Sequence, residues 1–166
     1  MMKYNINNTK QTSIFRNFYK NYIKELGKYS KRIKNQPVTI NEFYEIETNP
    51  LLERYFITNE NQEPIGFCLL GFGQNTQPGT DWFIAEFYIE PNYRRKHYAE
   101  NAISQHLTTH PGKYCYFVLK NNKNAQTFWL KMQKKHNCTD ITFNYDARAY
   151  TPEDALFYAF EYVGIL

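Results

Sequence analysis

The stretch from Glu86 to Ala99 constrains the fold most, because an apolar strand, a break, a basic loop and a helix start follow one another directly. Pro91 fits a strand end, since proline cannot donate to a ladder. From Glu100 the apolar spacing is helical, and Pro111-Gly112 ends it. A loop that leads into a helix N-terminus can present backbone N–H groups to a phosphate. The stretch therefore predicts either an anion site at residues 94–99 or a solvated basic turn.

The rest of the chain alternates helical and strand patterns. Apolar side chains at helical spacing predict a helix over residues 12–34, which Gly27 weakens or divides. Residues 38–46 fit a short helix or the start of a strand. The predicted strands cover 54–58, 64–72, 81–90, 114–119, 139–145 and 155–162, and another helix covers 124–135. This order predicts an α/β (α+β) fold around one sheet, in one domain spanning residues 1–166.

Composition narrows the possible partners. A net charge of +4 permits anionic ligands but is too mild for a typical nucleic-acid protein, so we expect no nucleic-acid partner. The three cysteines form no Cys-x-x-Cys pair, and no metal site is expected. Neither a long apolar run nor a signal-peptide pattern is present, which favours a cytoplasmic protein without a membrane partner.

Two motifs together resemble the GNAT N-acetyltransferases. That family has Arg/Gln-x-x-Gly-x-Gly/Ala at the head of a helix; here Arg94 matches the first position, Ala99 matches the last, and His97 replaces the first glycine. A second strand then leads into Asn122-x-x-Ala125-x-x-Phe128-Trp129 at the family's spacing. The resemblance covers roughly residues 54–135. The first helix and the phrase His110-Pro111-Gly112-Lys113-Tyr114 are also similar to an uncharacterised bacterial branch of the family.

The resemblance implies a mostly antiparallel sheet with helices on both faces, which splays beside the central strand and admits the pantetheine arm of acetyl-CoA. It implies that backbone N–H groups hold the pyrophosphate, and that the backbone of the central strand pairs with the arm. The residues implied for the pyrophosphate are Arg94, Arg95, Lys96, His97, Tyr98 and Ala99, and those implied for the arm are Phe87, Tyr88 and Ile89.

Two of the implied cofactor residues have two interpretations each. His97 either adds a side chain near the phosphates or points outward from the surface. If its φ is positive, histidine costs on the order of 1 kcal/mol there. Asn122 either hydrogen-bonds the cofactor arm or caps the following helix.

Glu86 is the candidate general base. The strand pattern predicts that Ile84, Glu86, Tyr88 and Glu90 share one face, while Ala85, Phe87 and Ile89 share the other. Apolar neighbours should raise the pKa of this carboxyl, as a base working near neutral pH requires. The alternative is an exposed or ion-paired glutamate. Trp129 occupies the position where many GNAT enzymes carry a tyrosine acid, and an indole N–H is no proton source.

The resemblance implies transfer of an acetyl group to a primary amine of a small molecule or peptide, by a monomer or homodimer. Residues expected near the acceptor are Tyr19, Tyr22, Tyr29, Phe43, Tyr44, Tyr145, Tyr150 and Tyr158, with Glu42, Glu45, Glu47 and Asp146 as acids able to attract a cationic amine. Two alternatives stay open: a catalytically weak acyl-CoA-binding protein, and an RNA-binding module built on the basic loop with its neighbouring tyrosines.

Overall fold

The computed structural model describes residues 1–143, 146 and 151–164. Within these residues the strands are β1 Met2–Lys3, β2 Leu52–Thr58, β3 Pro64–Phe72, β4 Trp82–Ile89, β5 Gly112–Leu119, β6 Thr139–Asp140 and β7 Ala155–Tyr162. The helices are α1 Thr9–Leu26, α2 Lys31–Lys34, α3 Ile40–Thr48, α4 Tyr98–Thr109 and α5 Lys123–Lys135.

The strands form one sheet in the order β1-β2-β3-β4-β5-β7-β6. The β4–β5 pair is parallel, and every other neighbouring pair is antiparallel. The predicted mixed α/β arrangement with a mostly antiparallel sheet is therefore confirmed.

The long N-terminal helical pattern is divided at Gly27, one of the two predicted outcomes. A Cβ on Gly27 would lie 3.0 Å from the Cα of Lys34, so the small residue lets the chain fold back closely there. Ser30 then caps α2 by accepting from the amide of Ile33. The ambiguous segment at 38–46 is helical, because the hydroxyl of Thr39 caps α3.

Helices cover both faces of the sheet, as predicted. On one face α4 and α5 bury Ile103, Leu107, Trp129 and Met132 against β3, β4 and β5. On the other face α1 and α3 pack aromatic side chains, among them Phe15 and Phe43, against β2 and β3. The central strand β4 thus lies between two apolar layers.

A β-bulge in β4 corrects the predicted faces of that strand. Leu69 pairs with Glu86 but Leu70 pairs with Ile84, so Ala85 is an extra residue opposite β3. The bulge reverses the alternation: Ile84 packs on the α4–α5 face, whereas Ala85 packs on the α1–α3 face. The prediction that Ile84 shares a face with Glu86 and Tyr88 is therefore wrong.

The strand predicted over 139–145 is shorter in the structure. Thr139 and Asp140 pair with β7, and the amide of Ile141 donates to the carbonyl of Ala159 at 3.1 Å. Residues 141–143 are not in a strand, and residues 144 and 145 lie outside the described residues. Phe143 packs against Phe157 with ring centroids 5.6 Å apart, so its apolar character serves ring packing and not strand pairing.

Candidate active site

The sheet opens between β4 and β5. These strands pair only from Trp82↔Tyr114 to Ile84↔Tyr116, after which the pairing ends although both strands continue. Glu86 to Ile89 therefore line a gap along an unpaired strand edge. Such an edge can accept an extended arm carrying amide groups as an additional strand.

Glu86 lies directly after the bulge, on the face covered by α1. The hydroxyl of Tyr22 in α1 donates a hydrogen bond to Oε2 of Glu86. Burial raises the pKa of Glu86 to about 7, the hydrogen bond from Tyr22 opposes the rise, and the charge of Glu42 adds to it. Burial and the charge of Glu86 raise the pKa of Tyr22, so its hydroxyl stays protonated and donates a hydrogen bond to the carboxyl. A carboxyl in this environment exchanges a proton readily at neutral pH.

A second hydroxyl–carboxyl pair lies beside the first. Tyr19 donates to Oε1 of Glu42 at 2.7 Å, and its ring centroid lies 6.2 Å from that of Tyr22. The charge of Glu86 adds to the effect of burial in raising the pKa of Tyr19. Neither interaction was predicted from the sequence, because Tyr22 is separated by 64 positions from Glu86 and fits the apolar stripe of its helix.

The basic loop has the geometry of an anion cradle. Arg95 and His97 both have positive φ, at 60° and 65°. The amide of Arg94 donates within the turn to the carbonyl of Pro91 at 3.3 Å. Among the described residues, the backbone amides of residues 95–100, which include the first turn of α4, make no well-aligned hydrogen bond to a protein acceptor. Open amides at a helix N-terminus can hold phosphate oxygens, although the set begins one residue later than predicted.

The side chain of Arg94 points away from this cradle. Its guanidinium forms two hydrogen bonds with Glu25, at 2.8 and 2.7 Å, and Nε donates to the carbonyl of Ile89 at 2.7 Å. It also lies 5.5 Å above the ring of Tyr88. Arg94 thus fastens the end of β4 to α1, and its side chain is not free for a ligand.

His97 fits the outward interpretation. Its side chain is 72% exposed, and its Nδ1 lies 3.4 Å from Oε2 of Glu100. Its positive φ explains why this position suits glycine, since a left-handed conformation is strained for residues with a Cβ.

We expect His97→Gly to bind acetyl-CoA as tightly as the wild type or more tightly, because glycine adopts positive φ without strain and keeps the amide. Isothermal titration calorimetry with acetyl-CoA measures this. A loss of more than about tenfold, or about 1.4 kcal/mol, would mean that the imidazole contacts the ligand itself.

Residues of the second motif begin helix α5 and pack in the hydrophobic core. Asn122 caps α5 by accepting from the amide of Ala125 at 3.1 Å, as the capping interpretation requires. Trp129 is 7% exposed and packs edge-on against Phe87, with centroids 5.5 Å apart. Trp129 thus forms a wall behind the gap, and the hydroxyl in contact with Glu86 comes instead from α1.

Several residues predicted near the acceptor have other partners. Oε1 and Oε2 of Glu47 accept from Arg16 at 2.8 and 2.7 Å, and Tyr158 stacks on Tyr116. Phe43 is buried, whereas Tyr44 and Glu45 are exposed. Tyr145 and Tyr150 lie outside the described residues, and Asp146 is exposed with a partner of its own. The predicted acids thus form no free acidic patch within the described residues.

In residues 1–143, 146 and 151–164, His, Cys, Asp and Glu side chains form no group of three able to hold a metal ion. None of the helices in these ranges combines the length and apolar character that a membrane crossing requires.

Comparison with known proteins gives a sequence match and a set of similar folds. The sequence profile of the Acetyltransferase (GNAT) family matches residues 16–133. No curated protein sequence matches the chain. Among solved structures, Tetrahymena GCN5 is similar with a TM-score of 0.60 at 10% identity, covering 98% of this chain and 94% of that one.

Two bacterial structures are also similar. The histone acetyltransferase HPA2 and related acetyltransferase from Corynebacterium glutamicum has a TM-score of 0.63 at 7% identity, covering 96% and 94% of the two chains. Diaminobutyrate acetyltransferase EctA from Paenibacillus lautus, in complex with L-2,4-diaminobutyric acid and coenzyme A, has a TM-score of 0.52 at 12% identity, covering 86% and 90%. At these identities the similarity shows the shared fold.

Proposed function

Because the chain belongs to the GNAT acetyltransferase family, we propose that it transfers the acetyl group of acetyl-CoA to a primary amine of a small molecule or peptide. The observation that carries this proposal is the position of Glu86. Its carboxyl lies at the start of the β4–β5 gap, on the face toward α1, with a pKa near neutrality and a tyrosine hydroxyl bonded to it.

The chain offers two groups of backbone atoms to acetyl-CoA. The open amides of residues 95–100 would bind the pyrophosphate, and the unpaired edge at Phe87, Tyr88 and Ile89 would bind the amide-bearing arm. The carbonyl of Ile89 already accepts from Arg94, so the arm would use other groups of this edge. When bound there, acetyl-CoA supplies the acetyl group as an activated thioester.

Glu86 would take the proton that the amine must lose. A carboxyl with a pKa of about 7 is substantially ionised at neutral pH, yet it is basic enough to accept a proton. Tyr22 would orient the carboxyl and stabilise its ionised form. Phe87 and Trp129, whose rings pack edge-on, would form the opposite side of the gap.

The first test is a melting experiment. Acetyl-CoA is expected to raise the melting temperature, since a ligand that binds only the folded state stabilises it. A short single-stranded RNA is the matched anionic control and is expected to leave the melting temperature unchanged. A shift with RNA but none with acetyl-CoA would overturn the proposal in favour of the RNA-binding alternative.

The role of Tyr22 predicts a shift in pH dependence. Tyr22→Phe removes a donor to the ionised carboxyl, so the pKa of Glu86 should rise further. Because the base must be deprotonated, the acidic limb of kcat/KM should move to higher pH, by about one unit for a hydrogen bond to a charged group.

A pH–rate series measures this, with Tyr19→Phe as the control because that hydroxyl donates to Glu42 instead. The limb should move less in the control than in Tyr22→Phe. A limb that stays in place in Tyr22→Phe would show that Glu86 is not the group whose ionisation limits the rate.

A further inference from the structure

A large open cleft lies between the end of α1, the short helix α2 and the turn before β7, and its wall includes Ile23 and Lys24, which stand between Tyr22 and Glu25 on α1. Its volume is about 1260 Å³. This exceeds the range of roughly 300–1,000 Å³ that is usual for small-molecule pockets. The lining is mainly basic, with Lys20, Lys24, Lys28, Lys31, Arg32 and Lys34 against two carboxylates, Glu153 and Asp154.

The described residues do not balance the positive charge of this cleft. Residues 20–36 contain these six cations and one carboxylate, so this segment alone carries more than the chain's net charge of +4. Within the described ranges, Arg32 is paired with Asp154 at 3.2 Å, whereas the five lysines make no ion pair or side-chain hydrogen bond. By contrast, Lys131 and Lys135 on α5 both pair with Glu100.

The walls of the cleft are held in place. Ser30, only 3% exposed, donates to Oδ2 of Asp154 and so ties the start of α2 to the turn before β7. The side-chain Nδ2 of Asn121 donates to the backbone carbonyl of Tyr29 at 3.2 Å. Asn121 lies two residues after the end of β5, so this wall meets the end of the gap between β4 and β5. A chain lying in the cleft therefore leads to the gap where acetyl-CoA would bind.

We propose that this basic cleft binds an acidic peptide segment of the acceptor, which carries its amine toward Glu86. This inference rests on the proposed function and names the class of acceptor. The size of the cleft favours an extended segment over a small molecule. Single-stranded RNA is less suited, since its recognition uses several stacking rings, and the described lining of the cleft offers one aromatic residue, Tyr29, among five lysines.

The proposal replaces the expectation that acidic residues attract a cationic acceptor. Two of those acids already accept hydrogen bonds, Glu42 from Tyr19 and Glu47 from Arg16. The unpaired charge around the cleft has the opposite sign. Complementary charge would steer the acidic segment and fix its register in the cleft. The gap beside Glu86 would still select the amine itself.

The test uses two short labelled peptides with one lysine each, one followed by a run of glutamates and the other by the same run of glutamines. Fluorescence anisotropy measures binding without acetyl-CoA, and mass spectrometry measures acetylation with it. The glutamate peptide should bind roughly tenfold or more tightly at low salt, lose this advantage at high salt, and be acetylated faster.

Two charge-matched triple variants locate the effect. Lys20→Glu/Lys28→Glu/Lys31→Glu reverses three cleft charges and should abolish the preference for glutamate. Lys10→Glu/Lys113→Glu/Lys134→Glu reverses three exposed charges outside the cleft and should keep it. Both variants should keep the melting shift with acetyl-CoA.

Three results would overturn the inference: equal binding of the two peptides, equal losses in the two triple variants, or displacement of the glutamate peptide by a tighter-binding single-stranded RNA. Failure of the proposed function has a different signature, namely a wild-type protein that binds the glutamate peptide through the cleft but shows no melting shift with acetyl-CoA.

Discussion

Glu86→Gln is expected to slow acetyl transfer by roughly 100-fold or more, the usual scale for loss of a positioned base. Glutamine keeps the shape of the side chain and an acceptor for the hydroxyl of Tyr22, but it cannot take a proton from the amine. The rate should be measured as kcat/KM below the pKa of the amine, where the substrate must be deprotonated on the enzyme.

The stability of the same variant checks that it is folded. The pKa of Glu86 is raised by burial, so its contribution to stability is fully present below the ordinary pKa of 4.5 and is lost as pH rises through about 7. Glutamine does not ionise, so Glu86→Gln does not lose this stability as the pH rises. The variant should therefore melt no lower than the wild type at pH 8. A folded variant with wild-type kcat/KM would show that Glu86 is structural.

Arg95→Glu/Lys96→Glu is expected to weaken acetyl-CoA binding by at least roughly tenfold and to abolish the melting shift. Both side chains are exposed and flank the open amides, so the two changes place negative charge where the pyrophosphate would bind. Arg94 is left intact, because its bonds to Glu25 and Ile89 fasten β4 to α1.

Lys10→Glu/Lys113→Glu is the matched control, since it changes the net charge equally at exposed positions away from the loop. Calorimetric titration should give near wild-type affinity for this control. If the loop variant binds acetyl-CoA as tightly as the control does, residues 95–100 are not the pyrophosphate site.

Local sequence patterns predicted much of the fold because their causes are local. The division at Gly27 follows from a small residue at a close approach of the chain, the end of the central strand before Pro91 from a missing donor, and the strand over Ala155–Tyr162 from apolar alternation. The gap between β4 and β5 was implied by the two motifs together, and the pairing that stops at Ile84↔Tyr116 bears it out.

The contacts that complete the candidate site could not be predicted, because they join distant parts of the chain. Tyr22 reaches Glu86 only once α1 packs on β4, and Arg94 pairs with Glu25 for the same reason. The bulge at Ala85 depends on how β3 and β4 fit together, and no residue in the strand marks it. Lysines that are unremarkable in the sequence become a basic cleft only through the fold of α2 against the turn before β7.

Turnover tests the central claim most directly. The wild-type protein is incubated with acetyl-CoA and a pool of primary amines, and the free thiol of CoA is measured together with the acetylated product by mass spectrometry. The proposed function predicts amine-dependent thiol release and a product heavier by one acetyl group, both strongly reduced in Glu86→Gln. A melting shift with acetyl-CoA but no turnover across the amine pool would contradict it and identify an acyl-CoA-binding protein without transferase activity.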